Sequence, residues 1–321
     1  MITVSTTAGL IAALKAAATG AVIGLMPGNY APTIKYFHGS ATIMSALLTT
    51  PAKITSLDLQ YSSGLTFSLI DFDASNFPPS GYGAPNTNAF KITASNHITL
   101  VNLNVHGSPL GTLQTDVSGF LIRDGSNIVV ANSDFHNLHH GLGHLNLDGL
   151  IVRNNRFHNL RDDGVRGGGS SNVLIQSNSC YSNHPDGPMD TDHPDCIQFW
   201  TSNTTVIAHD ITITGNNYNV GTGYPTQGIF VRDELGNLPL NRVTISNNTI
   251  SGAGYNPISV SGATNVKVSG NNVCNSKISP EWIIIRNVSS ILMLNNKSPL
   301  YEYINVNQLT ESGNVLNQNR C

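Results

Sequence analysis

Two neighbouring stretches, SNIVVANSDFHN (126–137) and DGLIVRNNRFHN (148–159), decide how the chain folds. In each, apolar and polar residues alternate before an Asn-rich turn, the period-two signature of a half-buried strand. The pattern recurs as NHITLVNLNVHG, SNVLIQSNSCYSN, HDITITGNNYNV, NRVTISNNTISG, TNVKVSGNNVCN and SSILMLNNKS. The first apolar residues are Ile98, Ile128, Leu150, Val173, Ile211, Val243, Val266 and Ile291, so the steps between them are 30, 22, 23, 38, 32, 23 and 25 residues. A base step of 22–25 residues, lengthened by insertions in some turns, predicts a solenoid whose coils are short strands.

Five places after that apolar residue stand Asn155, Asn178, Asn216, Asn248, Asn271 and Asn296. Asn tolerates the left-handed turn conformation, and its amide can bond the same amide one rung away, which predicts a ladder. A second register, GFLIR, DGVRG, DCIQF, QGIFV and NPISV, starts at Gly119, Asp163, Asp195, Gln227 and Asn256, so each coil holds at least two strands. Leucine-rich repeats share the period, but no LxxLxLxxN run with helical spacing occurs. The reading is an all-β, right-handed parallel β-helix. Residues 1–30 are expected to form an N-terminal cap and first strand, with STTAGLIAALKAAATG as an amphipathic helix over the open end of the core. Regular coils are expected over 90–300 and a C-terminal cap over 301–321, all in one domain.

Composition agrees. The 321 residues are 40% hydrophobic and 11% charged with a net charge of −3, which excludes disorder and a long helical bundle. No Lys occurs between Lys91 and Lys267, so there is no basic footprint for nucleic acid. No apolar run of about 18 residues is present, so no membrane span is expected. The first residues lack a basic n-region and a long apolar core, so no secretory signal is visible and the expectation is an extracellular or phage-virion protein reached by another route. Cys180, Cys196, Cys274 and Cys321 are too dispersed for a disulfide framework. Free buried thiols are expected, with a Cys274 to Cys321 bridge as the alternative.

The opening TVSTTAGLIAALKAAATGAVIGLMPGNYAP (3–32) resembles the N-terminal cap and first strand of pectate-lyase-like β-helix proteins such as chondroitinase B and alginate-lyase relatives. The repeats resemble those of the wider superfamily of mannuronan epimerases, polygalacturonases and phage tailspike depolymerases. The resemblance covers the whole chain and implies the fold and a polysaccharide partner. It does not select a reaction, because these proteins hydrolyse, eliminate, epimerise or only bind. Trimers are common among the phage relatives, but no sequence feature assigns an oligomeric state.

Chemistry-bearing residues are concentrated. Six of the fifteen Asp lie between 162 and 195, and seven of the eleven His between 136 and 193. Stacking the second register places His139 and His140, then Asp162 and Asp163, then His193 and Asp195, then Gln227 on successive rungs about 4.8 Å apart. Strand parity turns Val165, Ile197, Phe199, Ile229 and Val231 inward and Arg166, Gln198, Trp200, Phe230 and Arg232 outward. Aromatic platforms beside carboxylates and guanidinium groups suit a sugar chain with acidic substituents. Gln227, Asp233, His140 and His144 complete the expected substrate-binding set. The insertions 183–193 and 216–226 are expected to wall the groove.

Hydrolysis needs a proton donor and a second carboxylate, which Asp162, Asp163 and Asp195 supply, and it needs no cofactor. The layout is similar to that of polygalacturonases, although their NTD, GHG and RxK motifs do not recur in order. Elimination would use Arg166, or a Ca²⁺ held by Asp190, Asp192 and Asp195, to neutralise the substrate, with His193 or an Arg as base. The Lys base of chondroitinase B has no counterpart, and Asp192-His193-Pro194-Asp195 resembles the epimerase DPH triplet only in composition. His136, His139, His140 and His144 fit no helical zinc spacing and read as solvated or stacked. Hydrolysis by the Asp group is the first expectation, a lyase or epimerase the second, and a binding-only adhesin the third.

Overall fold

The structure is a computed structural model that describes residues 1–77, 88–109, 117–184, 193–254, 256–274 and 282–316. It is a parallel β-helix. A central coil consists of three strands, Leu142–Leu145, Asp148–Arg153 and Arg156–His158, separated by bends of two residues. The next coil repeats them as Val165–Gly168, Ser171–Gln176 and Ser179–Tyr181. The first two strands of every coil join one 21-stranded sheet and the third joins a 12-stranded sheet. Every pairing is parallel; for example, Asp148–Arg153 pairs with Ser126–Ala131 below and Ser171–Gln176 above.

The register matches the apolar alignment residue for residue. Ile98 faces Ile128, then Leu150, Val173, Ile211, Val243, Val266 and Ile291 on successive rungs. A one-residue slip would turn each apolar set to solvent, so burial fixes the register. Inside the coils Phe67, Phe72, Phe90, Phe120, Phe135, Phe157 and Phe199 are fully buried. Phe135 and Phe157 stack at 4.9 Å between centroids.

The expected helix forms over Thr7–Lys15, and the Thr6 hydroxyl caps it by accepting the Gly9 N–H at 3.0 Å. Leu10 and Leu14 are buried against the first coil. Two boundaries differ from expectation. Regular pairing already runs from Ala21–Leu25 through His38–Ser45 to Ser63–Ser68, well before residue 90. At the other end Tyr301–Ser312 pairs with Ile283–Leu294 as a further rung, where a cap over 301–321 was expected; residues 317–321 lie outside the described residues. Tyr301, Tyr303, Val306 and Leu309 stand opposite the inward Ile283, Ile285, Val288 and Ile291, while most of the strand is exposed. No helix among the described residues is long and apolar enough to cross a membrane.

Candidate active site

The carboxylates cluster where the chain enters the first strand of successive coils. Gly141 N–H donates to the Asp163 carbonyl and Gly164 N–H to the Asp195 carbonyl, and Asp195 pairs with Gln227, so His140, Asp163, Asp195 and Gln227 occupy one column. Glycine follows His140 and Asp163 for a steric reason. A Cβ on Gly141 would lie 2.7 Å from the Gly164 carbonyl oxygen, and one on Gly164 would lie 2.6 Å from that of Cys196. The rungs approach too closely at this point for any side chain.

Asp162 accepts a hydrogen bond from His140 Nε2 at 3.0 Å, with Arg166 at 3.6 Å and His139 at 3.7 Å. Burial pushes its carboxyl up, but the His140 hydrogen bond and the Arg166 guanidinium outweigh burial and hold it well below the usual range. Asp163 lies 3.3 Å from the same guanidinium and accepts the Asp195 N–H at 2.8 Å. Burial, with the Asp162 charge next, raises it well above the ordinary value. Asp195 is fully buried; burial, then Asp163 and Asp162, raises it likewise, and Gln198 donates to its Oδ2 at 3.0 Å. Arg166 lies near both carboxyls, closer to Asp163, but the His140 ring sits against Asp162 alone and favours the charge there. The three clustered carboxyls are thereby pulled apart, Asp162 toward the anion and Asp163 and Asp195 toward the acid.

The histidines beneath them are neutral. Burial and then Arg166 push His140 down to about 4, and burial and then His140 push His139 down to about 2. Their rings stack at 3.9 Å between centroids, as expected of the group, and Ser118 Oγ meets His140 Nδ1 at 2.8 Å. Donor atoms of His139, His140 and Asp162 lie within 4.8 Å of one another, the reach of a metal site. The Arg166 guanidinium, in contact with His140 Nε2 and both carboxyls, already fills the cation position, so this donor set does not fit a metal. The Ca²⁺ ligands Asp190 and Asp192 lie outside the described residues.

The structure brings together Asp162, Asp163, Asp195, Arg166 and Gln198 and gives several other expected residues different roles. Trp200 is half-buried and braces Arg166, whose guanidinium carbon lies 4.8 Å from the ring centroid, while the indole N–H donates to Ser202 O at 3.0 Å. Gln227 accepts from Asn256 at 2.7 Å. Phe230 is partly exposed; Arg232 and His193 are exposed. His144, expected to meet substrate, points into the coil: it is fully buried, bonded to Ser170 Oγ at 3.0 Å and packed on Phe199. Asp233 is also structural, accepting from Thr201 at 2.8 Å and from the Gly236 and Leu238 N–H groups at 3.0 Å. Inward parity continues from Leu142 to His144 and from Val231 to Asp233, which explains both corrections. Of the 216–226 insertion, Asn216 joins the ladder and Asn217–Asn219 is a strand, so only 220–226 is a connection. Residues 185–192 of the other insertion lie outside the described residues. His139 stands beside His140 as the stacked register places it, whereas buried Arg161 was absent from the expected site, since the loop that carries it has no period to read.

Cys180 and Cys196 form a disulfide and Cys274 is also disulfide-bonded, which corrects the free-thiol expectation; Cys321 lies outside the described residues. The first bridge joins the second sheet to the strand that begins at Asp195. Its half-cystines are 16 residues apart, and loop entropy of that size contributes about 3 kcal/mol. Cys180→Ser with Cys196→Ser is therefore expected to lower the urea midpoint; an unchanged midpoint would show that the bridge constrains nothing.

A family model described as "Right handed beta helix region" matches residues 88–273. No curated protein matches the sequence. Among solved structures, the polygalacturonase of Erwinia carotovora ssp. carotovora is 12% identical with a TM-score of 0.58, over 95% of this chain and 96% of that one. The Streptococcus pneumoniae surface adhesin PfbA is 18% identical with a TM-score of 0.59, over 94% and 89%. A periplasmic alginate epimerase, in double-mutant form, is 12% identical with a TM-score of 0.56 over 90% of this chain, which spans 65% of its length. At these identities the likeness is one of fold.

Proposed function

The chain belongs to the right-handed β-helix family, and on that premise we propose that it hydrolyses glycosidic bonds in a polysaccharide, with Asp162, Asp163 and Asp195 as the reacting group. The observation that carries this reading is the packing of three buried carboxyls on adjacent rungs around one guanidinium, with Asp162 lowered and Asp163 and Asp195 raised, the opposed shifts that glycoside hydrolysis uses. Asp195 Oδ1 and Asp162 Oδ1 are buried without a hydrogen-bond partner, so each is an unsatisfied oxygen that a water or sugar hydroxyl admitted to the cluster would satisfy. In this scheme Asp195 gives its proton to the leaving oxygen, and the Asp162 carboxylate takes the proton of the attacking water. Asp163 tunes both, and Arg166 and His140 hold Asp162 ionised. Exposed Arg232 favours an acidic sugar. Arg166 is committed to two aspartates, which leaves it unable to neutralise a substrate uronate and weighs against elimination. A buried disulfide beside the site suits an extracellular or virion location.

The test is incubation with acidic and neutral bacterial and plant polysaccharides, reading reducing ends and ultraviolet absorbance together. Reducing ends without absorbance are expected. Absorbance rising with them would mean unsaturated uronates and replace hydrolysis by elimination. Binding with neither signal would leave an epimerase or an adhesin.

A further inference from the structure

At the opposite end of the same strands, the bend between the first and second strand of each coil forms its own column. Backbone hydrogen bonds from Tyr36 to Gln60, Tyr61 to Thr93, Ala94 to Arg123, Asp124 to Leu145 and Asn146 to Gly168 place Tyr36, Tyr61, Ala94, Asp124, Asn146 and Gly169 on consecutive rungs. All six have positive φ. Gly, Asn and Asp suit that conformation, and the upper rungs use them; a bulky Tyr does not. Yet Tyr36 and Tyr61, at φ 59° and 49°, are 67% and 48% exposed and stack at 5.4 Å with planes 9° apart. Neither local conformation nor core packing asks for a tyrosine at these positions. A disfavoured backbone carrying an exposed aromatic pair points to binding.

The rings stack at about the rung spacing, so their normals run along the solenoid axis. The next rung carries Ala94, whose methyl leaves the Tyr61 face open. From Ala94 onward a groove of about 760 Å³ follows the column, lined by Asp124, Asn146, Asp148, Asn172, Val206 and His209 among others. Its hydrogen-bonding groups are held in place: Asn146 donates to Asp124 at 3.0 Å and Asn172 to Asp148 at 2.6 Å. The column from Tyr36 to Gly169 spans five rung steps, about 24 Å. Six residues separate Asp163 from Gly169, about 20 Å along the strand, so this corner lies apart from the carboxylate cluster.

We propose that this corner is a second, non-catalytic glycan-binding groove that takes an uncharged saccharide chain, with Tyr61 stacking on a sugar ring and the Asp and Asn amides and carboxylates bonding hydroxyls. Arg123 pairs with Asp124 at 2.7 Å and offsets its charge, so Asp148 is the carboxylate that disfavours an anionic chain, and this separates the ligand from the acidic sugar favoured at the cluster. The ligand class follows from the aromatic face, the amide-rich lining and the Asp148 carboxylate together.

Affinity electrophoresis of the full chain, carrying Asp163→Asn and Asp195→Asn so that nothing is degraded, tests this with dextran, glucomannan and xyloglucan against polygalacturonate and alginate. At least one neutral glycan is expected to retard migration. Tyr36→Asn with Tyr61→Asn is expected to weaken that retardation about tenfold. The same change suits the backbone better, so the unfolding midpoint should hold or rise. No retardation by any neutral glycan overturns the groove, as does unchanged retardation in the tyrosine variant. Retardation lost only with a lowered midpoint also overturns it, because the tyrosines would then be structural. The readout does not use catalysis, so absence of hydrolysis sinks the proposed function and leaves the groove untouched.

Discussion

Replacing Asp163 and Asp195 together by Asn is expected to cut reducing-end release by roughly 10²- to 10⁴-fold, the range general acid–base catalysis supplies, while binding of the polymer changes little. Asn preserves shape and keeps an oxygen to accept the Asp195 N–H that Asp163 now holds at 2.8 Å, so the strand entry stays in place. What disappears is the transferable proton. Both carboxyls are raised, by burial first and by their neighbours' charge second, and are therefore protonated at pH values where an ordinary Asp is ionised. Asp162 is lowered and remains an anion there. The rate of the unmodified protein should fall as pH rises and the raised carboxyls ionise, and fall on the acid side only when Asp162 protonates, below the ordinary carboxylate range. Asp162→Asn alone should remove the acid limb together with most of the rate. Full activity in the double variant would remove the site assignment, whatever the fold.

Register was legible in the sequence because one physical constraint repeats eight times: apolar residues must face the coil interior, and a slip by one exposes all of them. The column from His140 through Asp163 and Asp195 to Gln227 followed from the same periodicity. The errors arose where period-two reasoning had no phase. The strand Leu142–Leu145 has Leu at both an inward and an outward place, so its own pattern does not say which way His144 points. Its partners do: Ile122 below is buried and pairs with His144, so alignment between rungs places the ring inside. Asp233 belongs to the same class, one step beyond Val231. The Cys180 to Cys196 bridge was illegible for another reason. It joins different sheets across the coil interior, and that proximity is a property of the closed coil rather than of spacing along the chain. The Arg161 contribution comes from an aperiodic loop, and only the Arg166 contacts show why neutral histidines gather there.

Asn178→Ala is expected to cost about 3–5 kcal/mol, the largest loss from a single polar residue remote from the carboxylate cluster. Asn178 Oδ1 accepts both the backbone N–H and the side-chain amide of Asn155, each at 3.0 Å. Its own amide donates to Val152 O at 2.9 Å and to Asn216 Oδ1 at 3.0 Å. The same set of bonds recurs upward from Asn216 through Asn248, Asn271 and Asn296 to Asn314. Removing the Asn178 side chain leaves the Asn155 backbone N–H and one Asn155 amide hydrogen without partners in a place water does not reach, and each such group costs about 1–3 kcal/mol. A small cavity adds to this. The neighbouring Asn154 is the control: it is exposed with φ 56°, so Asn154→Ala loses only the left-handed preference, about 1–2 kcal/mol. Urea unfolding of the two variants separates the ladder from the turn. A loss at Asn178 no greater than at Asn154 would mean that the stacked amides only occupy the bend, and that the apolar register alone holds adjacent coils together.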